Sequence, residues 1–297
     1  MTRIRLLRWL RLIAVLVVAL LVVPAGGVRS ASITLSAVDG AEGVDVGSRI
    51  AWVLVLGEDV DGRTDAIQLV GLDSRSGAAT TIGIPRDSYL QLGEPVGLDR
   101  INVAYLSGPD IVVDAVEGLT GIRPDYLAVV DFAAFETLLG EIGPVTLTTP
   151  GGFESHGVVV REGENTFAPD QALAYVRHRL SFVDQDFSRS ANHQRLMAAA
   201  LRAFQSRAED PGFVEAAALT GLAAVDTDLS PGTLYRLAQA LTAVDSRRLS
   251  GCVLPGRPEV LPSGASVVLL DETAAQRIGA DAADDAVIGR RTCPDPL

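Results

Sequence analysis

The stretch IAWVLVLGEDVDGRTDAIQLVGLD, residues 50–73, decides how this chain is read. Its opening, IAWVLVLG, is a nearly unbroken apolar run with β-branched members that stops at Gly57. A strand with one face in water alternates apolar and polar residues, whereas one covered on both faces does not. The run therefore predicts a central strand, and AIQLVGLD (66–73) predicts a second strand beside it. The polar segment GEDVDGRTD (57–65) becomes the loop at the first strand's end.

Working outward, ATTIGIP (79–85), DYLAVVD (125–131) and PVTLTTP (144–150) read as further strands, with turn chemistry in SRSGA (74–78). Helical periodicity fills the gaps between them. GPDIVVDAVEGLTG carries Pro109 and Asp110 at its start and Gly121 at its end, the usual helix start and stop residues. DFAAFETLLGEIG has Asp131 as its N-cap, and SPGTLYRLAQALTAV has Ser230 as cap with Pro231 in the first helical position. FSRSANHQRLMAAALRAFQSRA (187–208) is the longest helix expected. Strands alternating with helices predict an α/β fold, a layered α-β-α domain around a central, mainly buried mixed sheet. Sites in such folds lie in the loops beyond strand ends.

The totals narrow the function. A chain of 297 residues with 48% hydrophobic and 21% charged residues is globular and long enough for a substantial core. A formal net charge of -12 argues against nucleic acid as a partner. All 25 basic residues are arginine, so neither a Walker A loop nor a Schiff-base lysine exists here. There is no G-x-S-x-G segment, and His156, His178 and His193 have no metal-ligand spacing.

The amino terminus has a logic of its own. MTRIRLLRWLR places four arginines before the apolar run LIAVLVVALLVV. Positive charge followed by an apolar core signals export with the amino end left in the cytoplasm. The expectation is one N-terminal transmembrane helix, an uncleaved signal anchor over residues 1–27, with a cleaved signal peptide as the alternative. A stalk of small and polar residues (28–48) and an extracytoplasmic domain (49–297) follow, which places the protein as single-pass at the cell membrane. In that oxidising compartment Cys252 and Cys293 are expected to form a disulfide tying down the carboxyl-terminal tail, with two buried thiols as the alternative.

Three polar clusters stand out. In GEDVDGRTD, Asp59, Asp61 and Asp65 surround Gly62, with Arg63 among them. Carboxylate oxygens on a short loop suit a hard cation such as magnesium, and they equally describe a solvated acidic turn. In IGIPRDSYL (82–90), Pro85 fixes the exit from a strand, and Arg86 either pairs with Asp87 or faces a ligand. In ALAYVRHRLSFVDQDFSRSANHQ (172–194), Arg177 and Arg179 are two residues apart. They converge only if the segment is extended or a helix ends inside it. Guanidinium groups hold phosphate oxygens in pairs and keep their charge. Arg177 and Arg179, with Arg86 and Arg189, are thus a candidate diphosphate site; pairing with Asp184 and Asp186 on a solvated face is the other reading.

In order along the chain, LGEDVDGRTDAI, TTIGIPRDSYL, RINVAYLSG, YLAVVDFAAFETLLGEIGPVTL and DQALAYVRHR…DQDFSRSANHQRL resemble the LytR-CpsA-Psr family of extracytoplasmic cell-wall enzymes, over about residues 50–290. An amino-terminal anchor is typical of that family. The resemblance implies a phosphotransferase that moves a glycopolymer from a polyprenyl-diphosphate carrier to peptidoglycan, forming a phosphodiester with the help of Mg2+. It implies that Asp59 and Asp65 ligate the metal and that Arg63 contacts phosphate. It also implies that Arg86, Arg177, Arg179, Arg189 and Gln194 hold the diphosphate and headgroup. The family's R-Q-Q reads Asn192, His193 and Gln194 here. Asp59 or Asp87 is the candidate general base, and helices over 132–142 and 196–204 are candidates to line a polyprenyl groove. Hydrolysis of the carrier diphosphate and non-catalytic binding of polyprenyl lipid or glycan are the alternative functions.

Overall fold

The computed structural model describes residues 33–39, 50–59, 61–178 and 185–293. In chain order the elements are β1 (Ile33–Ala37), β2 (Ile50–Glu58), β3 (Thr64–Asp73), β4 (Ala79–Gly83), β5 (Tyr89–Gln91), β6 (Leu98–Arg100) and a 3-10 segment, Ile101–Ser107. Then come α1 (Pro109–Thr120), β7 (Tyr126–Asp131), α2 (Phe132–Ile142), β8 (Val145–Thr149), β9 (Phe153–Ser155), β10 (Val158–Val160), β11 (Gly163–Phe167), α3 (Pro169–Val176) and α4 (Gln185–Arg207). The chain closes with α5 (Phe213–Ala224), β12 (Val225–Thr227), α6 (Pro231–Ala243), β13 (Leu249–Val253), β14 (Gly256–Val260), β15 (Ser266–Leu270) and α7 (Glu272–Ala282).

Seven strands form the main sheet in the order β12-β1-β7-β2-β3-β4-β13. It is mixed: β2 runs parallel to β7 and antiparallel to β3, while β4 runs antiparallel to β3 and parallel to β13. The unbroken run at 50–57 lies near its middle, and both faces are covered. Leu54, Leu56, Ile67, Leu69 and Ile82 pack with Val112, Val116 and Leu119 of α1 and Ile278 of α7. On the other face Ala51, Leu72, Ala79 and Tyr126 pack with Leu237 and Ala240 of α6, with Leu201 of α4 beside them. The α-β-α layering therefore follows from the apolar runs, since each buried face needs a helical cover.

The expected caps form. Asp131 accepts a hydrogen bond from the Ala134 N–H at 2.7 Å, Ser230 accepts one from the Thr233 N–H at 3.2 Å, and Gly121 closes α1 at φ 71°. The expected stalk needs correction, because Ile33–Ala37 within it is a sheet strand paired with β7 and β12. Ile33 is buried beside Ala134, so this segment is held by packing that its small, polar neighbours conceal. The expected anchor (1–27) and Arg179 lie outside the described residues. Among the described residues, no helix is long and apolar enough to cross a membrane. Cys252 on β13 is disulfide-bonded to Cys293, 41 residues on, which excludes the alternative of two free thiols.

Candidate active site

β2, β7, β4 and β13 all end at one edge of the sheet, and the polar clusters gather there. The β2–β3 connection is a tight turn. Asp59 Oδ1 accepts the Asp61 N–H at 2.9 Å and the Arg63 N–H at 3.0 Å, and Gly62 takes φ 76°. Glycine adopts that left-handed backbone at little cost. The register then slips: Gly57 pairs with Ala66 but Glu58 pairs with Thr64, which leaves Asp65 as the extra residue of a β-bulge. Bulges re-aim side chains. Strict alternation would put Asp65 on the face of Ile67 and Leu69; instead it pairs with the Arg86 guanidinium and lies within electrostatic reach of His193 on α4.

The turn after β4 supplies the next groups. The Arg86 side chain is 12% exposed, and its Nε is 3.5 Å from Asp87 Oδ1. The same oxygen accepts from Asn102 Nδ2 at 3.0 Å and is 3.8 Å from Arg100 Nη1. Helix α4 closes the ring. Asp186 in its first turn accepts the Asp87 N–H at 3.0 Å and Arg189 Nη2 at 2.8 Å. Five charged residues from three distant segments thus form one chain of contacts: Asp65, Arg86, Asp87, Asp186 and Arg189.

Burial of the Asp87 carboxyl pushes it up to about 6, helped by the like charge of Asp186 and opposed by Arg86 and Arg100. Released from the fold, the group returns to 3.8. The folded state therefore favours the neutral form. The stability it lends is complete below pH ~4 and is lost as pH rises through ~6. Asp87→Asn is expected to match the parent at low pH and to exceed it by about 1–3 kcal/mol above pH ~7. Thermal melts at both pH values check this, and an unchanged melting temperature at the higher pH contradicts it. His193 is pushed down to about 3 by burial and by Arg189, so it is neutral at physiological pH. Its Nδ1 is buried and has no hydrogen-bond partner among the described residues.

Other expected residues lie elsewhere. α3 ends at Arg177, so a helix does stop within the two-arginine segment. The Arg177 guanidinium stands 4.7 Å from the centre of the Phe132 ring, next to Asp131, whose cross-strand partner Glu58 precedes Asp59. It therefore sits at the same sheet edge, but among the described contacts it is not part of the carboxylate–arginine chain. Arg63 is exposed on the turn. Gln194, expected at the headgroup, is buried and gives its amide N–H groups to the carbonyls of Thr81 (3.2 Å) and Cys252 (2.9 Å). It fastens α4 to the sheet beside Gly83, where a Cβ would come within 2.3 Å of Ser190 Oγ. Asn192 accepts from the Tyr175 hydroxyl at 2.8 Å and from Arg195 at 3.0 Å.

Reading by motif missed Arg100 and Asn102, and offered Asp186 only as an ion-pair partner on a solvated face, whereas it pairs with buried Arg189. All lie in quoted segments, DQDFSRSANHQRL and RINVAYLSG, where nothing local separates a site residue from a solvated one. Among the described residues no group of three or more His, Cys, Asp or Glu side chains is placed to hold a metal. Asp59 and Asp65 are hard oxygen donors flanking one turn. A cation held by two such groups fills its shell with water and phosphate oxygens, which is the habit of magnesium. The donor set fits that ion on these terms.

A polyisoprenyl-teichoic acid–peptidoglycan teichoic acid transferase, TagU of Bacillus mycoides (strain KBAB4), is 28% identical over 155 residues, covering 50% of this chain and 51% of its own length. The chain thus spans about half the length of the curated relatives it matches. Among solved structures, B. subtilis TagV superposes with a TM-score of 0.68 at 24% identity, covering 80% of this chain and 97% of that one, a likeness of fold. The LytR-CPS2A-psr family protein YwtF (TagT), solved with bound octaprenyl pyrophosphate lipid, gives a TM-score of 0.62 at 25% identity over 81% of this chain and 92% of its own. The LytR_cpsA_psr family model matches residues 36–283, a span that takes in the bulged hairpin, the Arg86–Asp87 turn and the first turn of α4, and the chain belongs to that family.

Proposed function

We propose that the protein is a magnesium-dependent phosphotransferase that moves a glycopolymer from a polyprenyl-diphosphate carrier to peptidoglycan, working outside the cytoplasm from an amino-terminal membrane anchor. One observation carries the reading: half-buried Arg86 and buried Arg189 converge with Asp65, Asp87 and Asp186 at a single sheet edge. The names of the relatives, teichoic acid transferases, and the octaprenyl pyrophosphate held by YwtF support the donor class.

The chemistry follows from charge. Breaking a phosphoanhydride needs positive charge over the transferred and departing phosphates, and fixed arginines supply it without reorganising. Arg86 and Arg189 serve this role, and Arg177, over Phe132 at the same sheet edge, is the candidate to extend it. When bound by Asp59 and Asp65, magnesium adds further positive charge at the diphosphate. Asp87 takes the proton of the acceptor hydroxyl. The acceptor oxygen bonds to the glycan-bearing phosphorus, the bridging P–O bond breaks, and polyprenyl phosphate leaves.

The test supplies the full chain with a polyprenyl-diphosphate-linked glycan, with or without peptidoglycan and with or without Mg2+. Glycan joined to peptidoglycan, with polyprenyl phosphate released only when both acceptor and metal are present, is the expected result. Equal release without acceptor makes the protein a diphosphate hydrolase. No turnover, with lipid binding intact in Asp59→Ala and Asp65→Ala, makes it a binding protein.

A further inference from the structure

The carboxylate of Asp186 joins two parts of the site that are far apart in sequence. Its Oδ2 accepts the backbone N–H of Asp87, 99 residues away, at 3.0 Å. Its Oδ1 accepts Arg189 Nη2, three residues on in the same helix, at 2.8 Å. The Asp186 side chain is 12% exposed and that of Arg189 is 4% exposed. Charge-assisted bonds in such a largely shielded place resist loss, since the Arg189 guanidinium left without its partner stays desolvated. Below them the helix is locked to the sheet: Gln68 Nε2 donates to Ser190 Oγ at 3.0 Å, and Thr81 Oγ1 donates to Gln68 Oε1 at 3.0 Å. α4 is thus a fixed support, and Asp186 is the contact through which it reaches the Arg86–Asp87 turn.

We propose that Asp186 is the positioning residue of the site: by holding the Asp87 amide and the Arg189 guanidinium together it fixes both arginines for the diphosphate and aims Asp87 at the acceptor. The inference rests on the transferase reading above. Asp186 touches no substrate in this scheme and acts through its neighbours. It also has an electrostatic consequence. The groups facing the Asp87 carboxyl are Arg86 on its own turn, Arg100 at the end of β6, Asn102 on the 3-10 segment and Asp186 on α4. Asp186 is the negative one among them, so its charge makes Asp87 hold its proton more tightly.

The experiment compares Asp186→Asn and Asp186→Glu with the parent chain, following turnover against pH and the binding of geranylgeranyl diphosphate by calorimetry. Asp186→Asn is expected to lose about 100-fold in kcat, the usual cost of a misplacement near 1 Å. Its acid limb should move to lower pH, since removing a like charge lets Asp87 ionise sooner. Asp186→Glu keeps the charge, so its kcat falls while its acid limb stays, and this variant decides the matter if the asparagine variant does not fold. Both variants should bind geranylgeranyl diphosphate less tightly than the parent, because the arginines are no longer held. Parental kcat and acid limb in Asp186→Asn overturn the proposal. So does a fall in activity that matches the loss of folded protein with the limb unmoved. A parent chain that binds the diphosphate without turnover defeats the transferase reading alone, and weaker binding by the variants then still supports the positioning role.

Discussion

Arg86→Ala is expected to lower turnover on a polyprenyl-diphosphate donor by about 10²–10³-fold, the effect of removing one fixed electrostatic donor, or about 3–4 kcal/mol. The geometry explains the size. Arg86 pairs with Asp65 on the bulge and lies 3.5 Å from Asp87, so a single half-buried guanidinium stands between the candidate metal ligand and the candidate base. Its removal takes away charge at the diphosphate and also leaves two carboxylates without their shared counter-charge. Arg86→Lys keeps a cation but loses the planar fork that engages two oxygens at once, and its activity should fall between the parent and the alanine variant. Steady-state kinetics on the purified chain decide the point. Unchanged kcat/KM in Arg86→Ala removes the residue from the site.

The second large effect concerns stability. Breaking the Cys252–Cys293 bond, by reduction or by Cys293→Ser, is expected to cost about 3–4 kcal/mol. The bond closes a loop with a sequence separation of 41, which includes β14, β15 and α7. A cross-link of that span removes many conformations from the unfolded chain. Both sulfurs are buried in the same cluster as α1 and β2, so the loss also loosens packing against the central sheet. Because the Cys252 carbonyl accepts the Gln194 amide, the damage reaches α4 and the groups it carries. Urea titrations of oxidised and reduced protein measure the difference, and a value under about 1 kcal/mol contradicts the expectation. Mass spectrometry of non-reduced peptides should recover Cys252 joined to Cys293.

Much of the architecture was legible from residue order. The run at 50–57 announced a doubly covered strand because burial on both faces leaves no position for a polar side chain. The helices at 109–120, 132–142 and 231–243 announced their ends through Pro109, Gly121, Asp131, Ser230 and Pro231, residues whose preferences act within one turn. The strand at 33–37 stayed hidden, since its partners β7 and β12 are some ninety to two hundred residues away and its own pattern is short and mixed.

The site divides in the same way. Sequence by itself determined that Asp59, Asp65, Arg86, Asp87 and Arg189 lie in segments where charge and turn chemistry concentrate, and it determined the family. Only the tertiary structure decided that Asp65 turns towards Arg86, through a bulge that breaks strand alternation by one residue. Only the tertiary structure turned Gln194 away from the edge and made Asp186 the link between the Asp87 turn and Arg189. The physical reason is range. Propensities and caps are set by neighbours a few bonds away, whereas a carboxylate or amide takes its role from whatever the fold brings within 3 Å of it.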